Sequence, residues 1–303
     1  MSIRSRLKYK LLPRRIKSKW SYADFLYYRM QEIGKADIDD FMTVQELEAF
    51  EKSVNSDKFR DVFNSKELFY KRFAAYIHRE YVLIRETSSN ELEAFIKKHG
   101  RVIIKPDDMY AGKGISYAYI NDKKEVIYAS GCPDYDTLKR DKYIAEEWLF
   151  NEKSYADIYN KSLNTVRITT FIKGDSADII FAVNQFGSSG DIVDNDEEKG
   201  IWAAVDIGTG NVYATEINAS NGYVNDRHPD TGKDILGFVN KSWDQMKKLS
   251  LKLAMEVPEC RLVGWDIAVL EDGSIELIEG NVTPELDLYQ AITKKGLAKL
   301  LQK

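Results

Sequence analysis

Apolar and polar positions follow three textures along the chain. From the start to about residue 60 there is no strand-like run. FLYYRMQEIG and TVQELEAFEKSV instead repeat their apolar residues at helical spacing. The second opens on Thr43 with Glu46 three residues later, the sequence form of a capping box. From Tyr81 the pattern changes. YVLIRE is a short apolar run, NELEAFIKKHG an amphipathic helix ending at a glycine, and RVIIKP a second apolar run, which predicts a strand, helix, strand unit. ISYAYI, EVIYAS and KYIAEEWL add strands to it. Beyond residue 150, VRITTFIK, ADIIFAVNQF, IWAAVDIG, NVYATEI, LVGWDIAVL and SIELIEG read as strands between turn clusters such as SSGD, GTGN and EDGS. KSWDQMKKLSLKLAMEV has helical spacing and is expected to pack on that sheet. The result is an α+β chain with a helical N-terminal region at 1–62, a small mixed lobe at 63–150 and a larger sheet-rich lobe at 151–303.

Composition changes this picture little. With 303 residues, 44% of them hydrophobic, the chain can bury the cores of two or three packed lobes. A formal charge of -4 leaves no electrostatic footprint of a nucleic-acid partner. Cys132 and Cys260 stand far apart, outside any metal-spaced or redox pair, and read as reduced thiols of a cytoplasmic protein. The basic stretch from Arg4 to Lys19 is either a solvated helix face or a peripheral contact for an anionic membrane surface. It lacks the apolar core and cleavage site of a signal peptide, and no apolar run approaches the ~20 residues of a membrane span.

The most informative segment is GWDIAVLEDGSIELIEGN, two alternating strands around Asp272-Gly273. If those two residues form the turn, Glu271 faces Ser274, and equal steps outward place Asp266 opposite Glu279, with Asn281 on the same face. Ile275 and Leu277 share that face in this register. Opposed carboxylates, roughly 4.5 to 5.5 Å apart at Cβ, repel unless a positive group lies between them. Two carboxylates and an amide oxygen, with no sulfur or histidine nearby, are the hard ligands that suit Mg²⁺. A solvent-facing acidic pair on an edge strand is the alternative.

Upstream, IIKPDDMYAGKGIS sets Lys105 at the end of an apolar strand, followed by a loop with Gly112, Lys113 and Gly114 that can approach phosphates with its backbone N–H groups. A plain hairpin turn fits the glycines equally. IAEEWL then offers Glu146 or Glu147 as an acceptor for an exocyclic amine, beside Trp148 and Leu149 as an apolar slot. In SLNTVRITTF, Asn164 and Arg167 interrupt a β-branched stretch. Arg167 is a forked donor for phosphate or carboxylate, or else a structural ion pair. Asp194 and Asn195 in the polar excursion SSGDIVDNDEEKG, and His228 in NDRHPDTG, are candidate substrate contacts. His78 and His99 lie in helical contexts and read as incidental. No nucleophile–histidine arrangement of the hydrolase kind emerges.

Together, the Lys-Pro strand end, glycine loop, Glu-Glu-Trp-Leu hinge, Asn-Thr-Val-Arg strand and Asp…Glu-x-Asn hairpin resemble the ATP-grasp superfamily, across about residues 64 to 290. That superfamily includes D-alanine:D-alanine ligase and the ribosomal-protein glutamate ligases. SLNTVRITT, VDN, HPDTG and the GWDIAV…IEGN ending resemble more narrowly the sugar-transfer-associated ATP-grasp proteins, a group associated with surface-polysaccharide biosynthesis. The resemblance implies two α+β lobes gripping ATP, with Asp266, Glu279 and Asn281 as magnesium ligands. It implies Lys66 and Lys105 as nucleotide lysines, Glu146 on the adenine amino group, and backbone contacts from Glu147 and Leu149. It implies an ATP-dependent ligase joining a carboxylate to an amine, both small molecules and possibly linked to a saccharide. A phosphotransferase using the same cleft and a catalytically silent nucleotide-binding subunit of a polysaccharide assembly complex stay open. The helical start replaces the Rossmann-like domain of many relatives, and Glu152 and Asp157 both remain candidates for the ribose acid.

Overall fold

The computed structural model describes residues 19–30, 33, 37–109, 112–190, 192, 200–217 and 226–302. The candidate membrane segment before Lys19 therefore lies outside the described residues. Helices α1 (Tyr22–Tyr27), α2 (Val44–Val54), α3 (Asp57–Asn64) and α4 (Lys66–Arg72) come first. Strand β1 (Tyr81–Leu83), α5 (Ser89–His99), β2 (Arg101–Pro106), β3 (Ser116–Ile120), β4 (Val126–Tyr128), α6 (Tyr135–Arg140) and β5 (Tyr143–Glu147) build the small lobe. After α7 (Lys153–Ile158) come β6 (Thr165–Lys173), β7 (Ser176–Phe186), β8 (Ile201–Val205), β9 (Val212–Ile217), α8 (Trp243–Glu256), β10 (Leu262–Val269) and β11 (Ile275–Asn281). Helices α9 (Leu286–Thr293) and α10 (Ala298–Gln302) close the chain.

Local chemistry sets several of these boundaries. Thr43 accepts from the Glu46 N–H while Glu46 reaches back to the Thr43 N–H, so the capping box forms as its sequence predicts. Ser88 and Glu91 repeat the device on α5, and Gly100, at φ 73°, ends that helix in a conformation that favours glycine.

The small sheet has the order β1-β5-β2-β3-β4 and the large one β11-β10-β6-β7-β8-β9, every pair antiparallel. One face of the large sheet carries Val166, Ile168, Trp265 and Ile267 into the main core. Helix α8 covers that core, and so do α3 and α4; the rings of Phe63 in α3 and of Phe73, the C-cap of α4, pack on Trp265 at 5.9 and 5.4 Å. The expected boundary at residue 62/63 thus crosses a run of helices that packs with the large sheet, because their aromatic residues find their apolar partners there. On the opposite face, Leu47 of α2, Leu286 of α9 and Leu301 of α10 cover Phe171 and Leu262. Further along that face, beyond Thr169 with Gly264, Asp266 and Thr165 line a cleft shared with the small sheet, and Arg167 stands beside Asp266.

Candidate active site

One cleft gathers residues from both sheets: Lys66, Lys105, Gly112, Lys113, Glu146, Glu147, Trp148 and Leu149 from the small-lobe side, Asp266 and Glu279 from the large sheet. A smaller adjoining pocket carries Lys66, Lys105, Glu279 and Asn281. Lys66 is the first residue of α4, and its Nζ donates to the Met109 carbonyl at 2.8 Å. Asp107 ties that helix start to the end of β2, accepting from the Ser65 hydroxyl at 2.9 Å and the Glu67 N–H at 2.8 Å. Gly114, at φ 74°, brings the loop so close that a Cβ would stand 3.1 Å from Pro106 Cγ and 3.3 Å from Met109 Sδ. Only glycine fits both constraints.

Glu146 sits on β5 opposite Ile103 and is almost wholly buried. Lys105 pairs with its Oε1 at 2.8 Å, the Tyr70 hydroxyl donates to that same oxygen, and Arg79 Nε donates to Oε2 at 2.9 Å. Burial opposes its charge, but Lys105 and Arg79 outweigh burial and hold the carboxyl at about 2. Its side chain is therefore the counter-ion of Lys105 and of Arg79. Lys105 itself is pulled down, first by burial and then by Arg79, against the support of Glu146.

The acidic hairpin has the expected pairing, Asp266 opposite Glu279, reached by two compensating departures. Leu270, not Glu271, faces Ser274, so the loop has one residue more than expected, and Gly273 takes φ 82° within it. The ladder runs Val269–Ile275, Ala268–Glu276 and Ile267–Leu277, then shifts to Asp266–Glu279, leaving Ile278 as a bulge. An unbroken ladder would place Ile278 opposite Asp266 and turn Glu279 into the core. The bulge also overturns the expectation that Leu277 shares the face of Glu279: Leu277 is buried in the main core, while Ile278 and Glu279 line the cleft.

Both oxygens of Asp266 are held by Arg167 at 2.7 and 2.8 Å, and Arg167 also reaches Glu285 at 2.6 Å. The Asn281 amide lies 3.4 Å from Asp266 and 3.3 Å from Glu279. Burial and the neighbouring Glu279 push the Asp266 carboxyl up against the pull of Arg167. Glu279 is half-buried; desolvation opposes its charge, but Arg167, Lys66 and Lys105 hold its carboxyl below the ordinary value. Buried Asp266 and half-buried Glu279 meet at one point, with Asn281 Nδ2 donating to both; the two carboxylates, joined by the amide oxygen when that group is turned over, make a hard-oxygen donor set that fits Mg²⁺. Among the described residues no group of three His, Cys, Asp or Glu side chains gathers into a metal site, so such an ion would complete its shell with water or phosphate oxygens.

The model of one protein family, described as sugar-transfer associated ATP-grasp, matches residues 45–303. The chain belongs to that family. A search of curated proteins found no match. Among solved structures, the ATP-grasp ligase PsnB complexed with minimal precursor is similar at 13% identity and TM-score 0.47, over 82% of this chain and 62% of that one. The ADP complex of purK, an N5-carboxyaminoimidazole ribonucleotide synthetase, is similar at 11% identity and TM-score 0.46, over 80% of this chain and 52% of that one. N5-carboxyaminoimidazole synthase from aspergillus clavatus, with ADP and 5-aminoimadazole ribonucleotide, gives 11% identity and TM-score 0.40, over 80% and 51%. The chain thus spans about half to three-fifths of the length of these structures.

The ATP-grasp cleft does not include every residue singled out from the sequence. Asn164 is fully buried; its amide nitrogen donates to Asn151 at 3.0 Å and to the Tyr159 carbonyl at 2.6 Å, so it fastens the start of β6. His228 is equally buried. Its Nε2 donates to the Gly187 carbonyl at 2.7 Å, its Nδ1 accepts from the Asp230 N–H at 3.2 Å, and its ring stacks on Tyr159. Asp194 and Asn195 lie outside the described residues. Of the two ribose candidates, Glu152 caps α7 and Asp157 pairs with Lys153; neither lines the cleft. The Arg101 guanidinium stands 3.5 Å above the Trp148 ring, fixing the hinge tryptophan. Cys132 and Cys260 are both free. Among the described residues no helix is long and apolar enough to cross a membrane.

Sequence reasoning missed Arg79, Asp107 and Glu285. His78, expected in a helix, lies in the extended segment before β1, where its N–H donates to Glu276 at 3.0 Å.

Proposed function

We propose that this chain is an ATP-dependent carboxylate–amine ligase, ADP-forming, that works through an acyl phosphate in the cytoplasm. It would attach an amino acid or other amine to a saccharide-linked carboxylate, such as a uronic acid of a capsule or other surface-polysaccharide precursor. One observation carries the reading: Asp266 and Glu279 stand opposed in register beside Asn281 and line the same cleft as Lys66 and Lys105. The family description, with its link to sugar transfer, supports the substrate class.

The chemistry proceeds in two balanced steps. A substrate carboxylate oxygen attacks the γ-phosphorus of ATP and ADP departs. The amine nitrogen then attacks the acyl carbon, phosphate departs and the nitrogen loses a proton. Lys66, Lys105 and the glycine loop hold the phosphate chain, Arg167 neutralises charge on the transferring group, and Trp148 and Leu149 supply the apolar slot for adenine. Mg²⁺ held by Asp266, Glu279 and Asn281 would screen the phosphate oxygens during transfer.

The test screens purified protein with Mg-ATP against uronic acids and amino acids, reading ADP and phosphate. Release that requires both substrates, with hydroxylamine trapping a hydroxamate, supports the ligase. A stable phosphorylated product would make the chain a phosphotransferase. Nucleotide binding without turnover on any pair would favour the silent subunit.

A further inference from the structure

Arg79 lines the cleft, and it is the most heavily committed side chain there that neither the lysines nor the proposed metal ligands explain. Its side chain is 1% exposed. Nε donates to Glu146 at 2.9 Å, Nη1 to Glu276 at 2.8 Å and to the Leu277 carbonyl at 2.7 Å, and Nη2 to the Ile278 carbonyl at 3.1 Å. Its guanidinium also lies 4.8 Å from the Tyr70 ring, whose hydroxyl donates to Glu146. Glu276 is itself fastened by the N–H groups of His78 and Arg79 at 3.0 and 3.2 Å.

Consecutive carbonyls of a regular strand point in opposite directions. A single guanidinium reaches both Leu277 O and Ile278 O because the bulge at Ile278 has turned them to one side. That same bulge decides which residue stands opposite Asp266. Arg79 therefore holds the local geometry that faces Glu279 to the cleft, and its Nε fixes the carboxylate partnered by Lys105. The nucleotide end and the acidic end of the cleft meet at this one side chain.

The geometry points to Arg79 as the positioning residue for the metal site. By clamping the bulge it keeps Glu279 beside Asp266, and through Glu146 it ties that setting to the phosphate lysine. The inference rests on the reading of Asp266, Glu279 and Asn281 as metal ligands. Groups that orient metal ligands from behind typically change metal affinity by about 10- to 100-fold when altered.

Arg79→Lys keeps the charge but cannot span Glu146 and both carbonyls. Electron paramagnetic resonance of free Mn²⁺, titrated into protein with ADP, should show affinity reduced by about tenfold or more. Binding of a fluorescent adenine nucleotide in EDTA should fall by a distinctly smaller factor, since Arg79 reaches Lys105 only through Glu146. Glu276→Gln loosens the clamp without touching the cleft and should move Mn²⁺ affinity the same way by a smaller factor; it decides the matter if Arg79→Lys does not fold. Folded variants with wild-type Mn²⁺ affinity would overturn the inference. Equal losses of metal and metal-free nucleotide would too, since they mark a general scaffold. Wild-type protein that binds ADP but no Mn²⁺ would remove the metal reading and this inference with it.

Discussion

Arg167 grips Asp266 with a full fork, Nε to Oδ1 at 2.7 Å and Nη2 to Oδ2 at 2.8 Å. The two are cross-strand neighbours on β6 and β10, so the sheet register itself sets up the pair. Both side chains are buried, and bidentate geometry is what makes such a pair tolerable away from water. On the proposed reading, a cation held by Asp266 would compete with that fork and leave Arg167 to Glu285.

Arg167→Lys replaces a planar fork by a point charge. Turnover is expected to fall roughly 100-fold or more, the scale seen when a charge-stabilising donor is removed. Arg167 does not line the nucleotide cleft, so nucleotide affinity should stay within about threefold. Steady-state ADP release beside a fluorescent-nucleotide titration checks both halves. A large loss of nucleotide affinity would place the arginine elsewhere in the reaction.

Asp266→Asn leaves the shape of the pair but removes half its charge. Mg²⁺-dependent ADP release should drop by at least about 100-fold, while metal-free nucleotide still binds through Lys66 and Lys105. The variant should also be less stable, because Arg167 keeps only Glu285, whose side chain is 40% exposed. Calorimetric titration of Mg-ADP against ADP in EDTA reads the first effect, and thermal melting the second.

Glu146 gives the fold a pH dependence whose sign can be worked out. Its ordinary value is 4.5, and Lys105 and Arg79 hold it at about 2 in the folded chain despite burial. A depressed carboxyl stabilises fully above its unfolded value and loses that contribution as pH falls toward the folded one. The shift corresponds to a contribution on the order of 3 kcal/mol, withdrawn between about pH 4.5 and 2. Glu146→Gln should be less stable at neutral pH, since buried Lys105 loses its carboxylate and Arg79 one of its two, and should show a shallower acid decline. Urea unfolding of both proteins between pH 7 and 3 tests this; parallel declines would contradict the pairing.

The strands were legible because each depends on an apolar pattern a few residues long. The Asp266–Glu279 pairing was also legible, although neither the three-residue loop nor the bulge at Ile278 was. One departure shifts the ladder by a residue and the other shifts it back, so a count made from the turn reaches the same pair. Arg79 left no local signal. Its partners Glu146 and Glu276 are 67 and 197 residues away, and only the docking of the two sheets brings them together. Glu146 was noticed, but its partner could not be: a carboxylate at a hinge reads as a ligand acceptor until the arginine and lysine beside it are seen.

Asn164 is a polar motif residue whose hydrogen bonds are made within the fold. It is fully buried, and its amide links Asn151, the Tyr159 carbonyl and the Gly187 N–H. Asn164→Ala strands those groups in a site closed to water, and each buried group left unmatched costs about 1–3 kcal/mol. A total loss of about 3 kcal/mol is therefore expected, read as a lower urea midpoint with unchanged slope. In protein kept folded by low temperature, KM for ATP and for both substrates should match the wild type. A raised KM for one substrate at full stability would return Asn164 to the binding site, and would mean that the β6 start moves to meet that substrate.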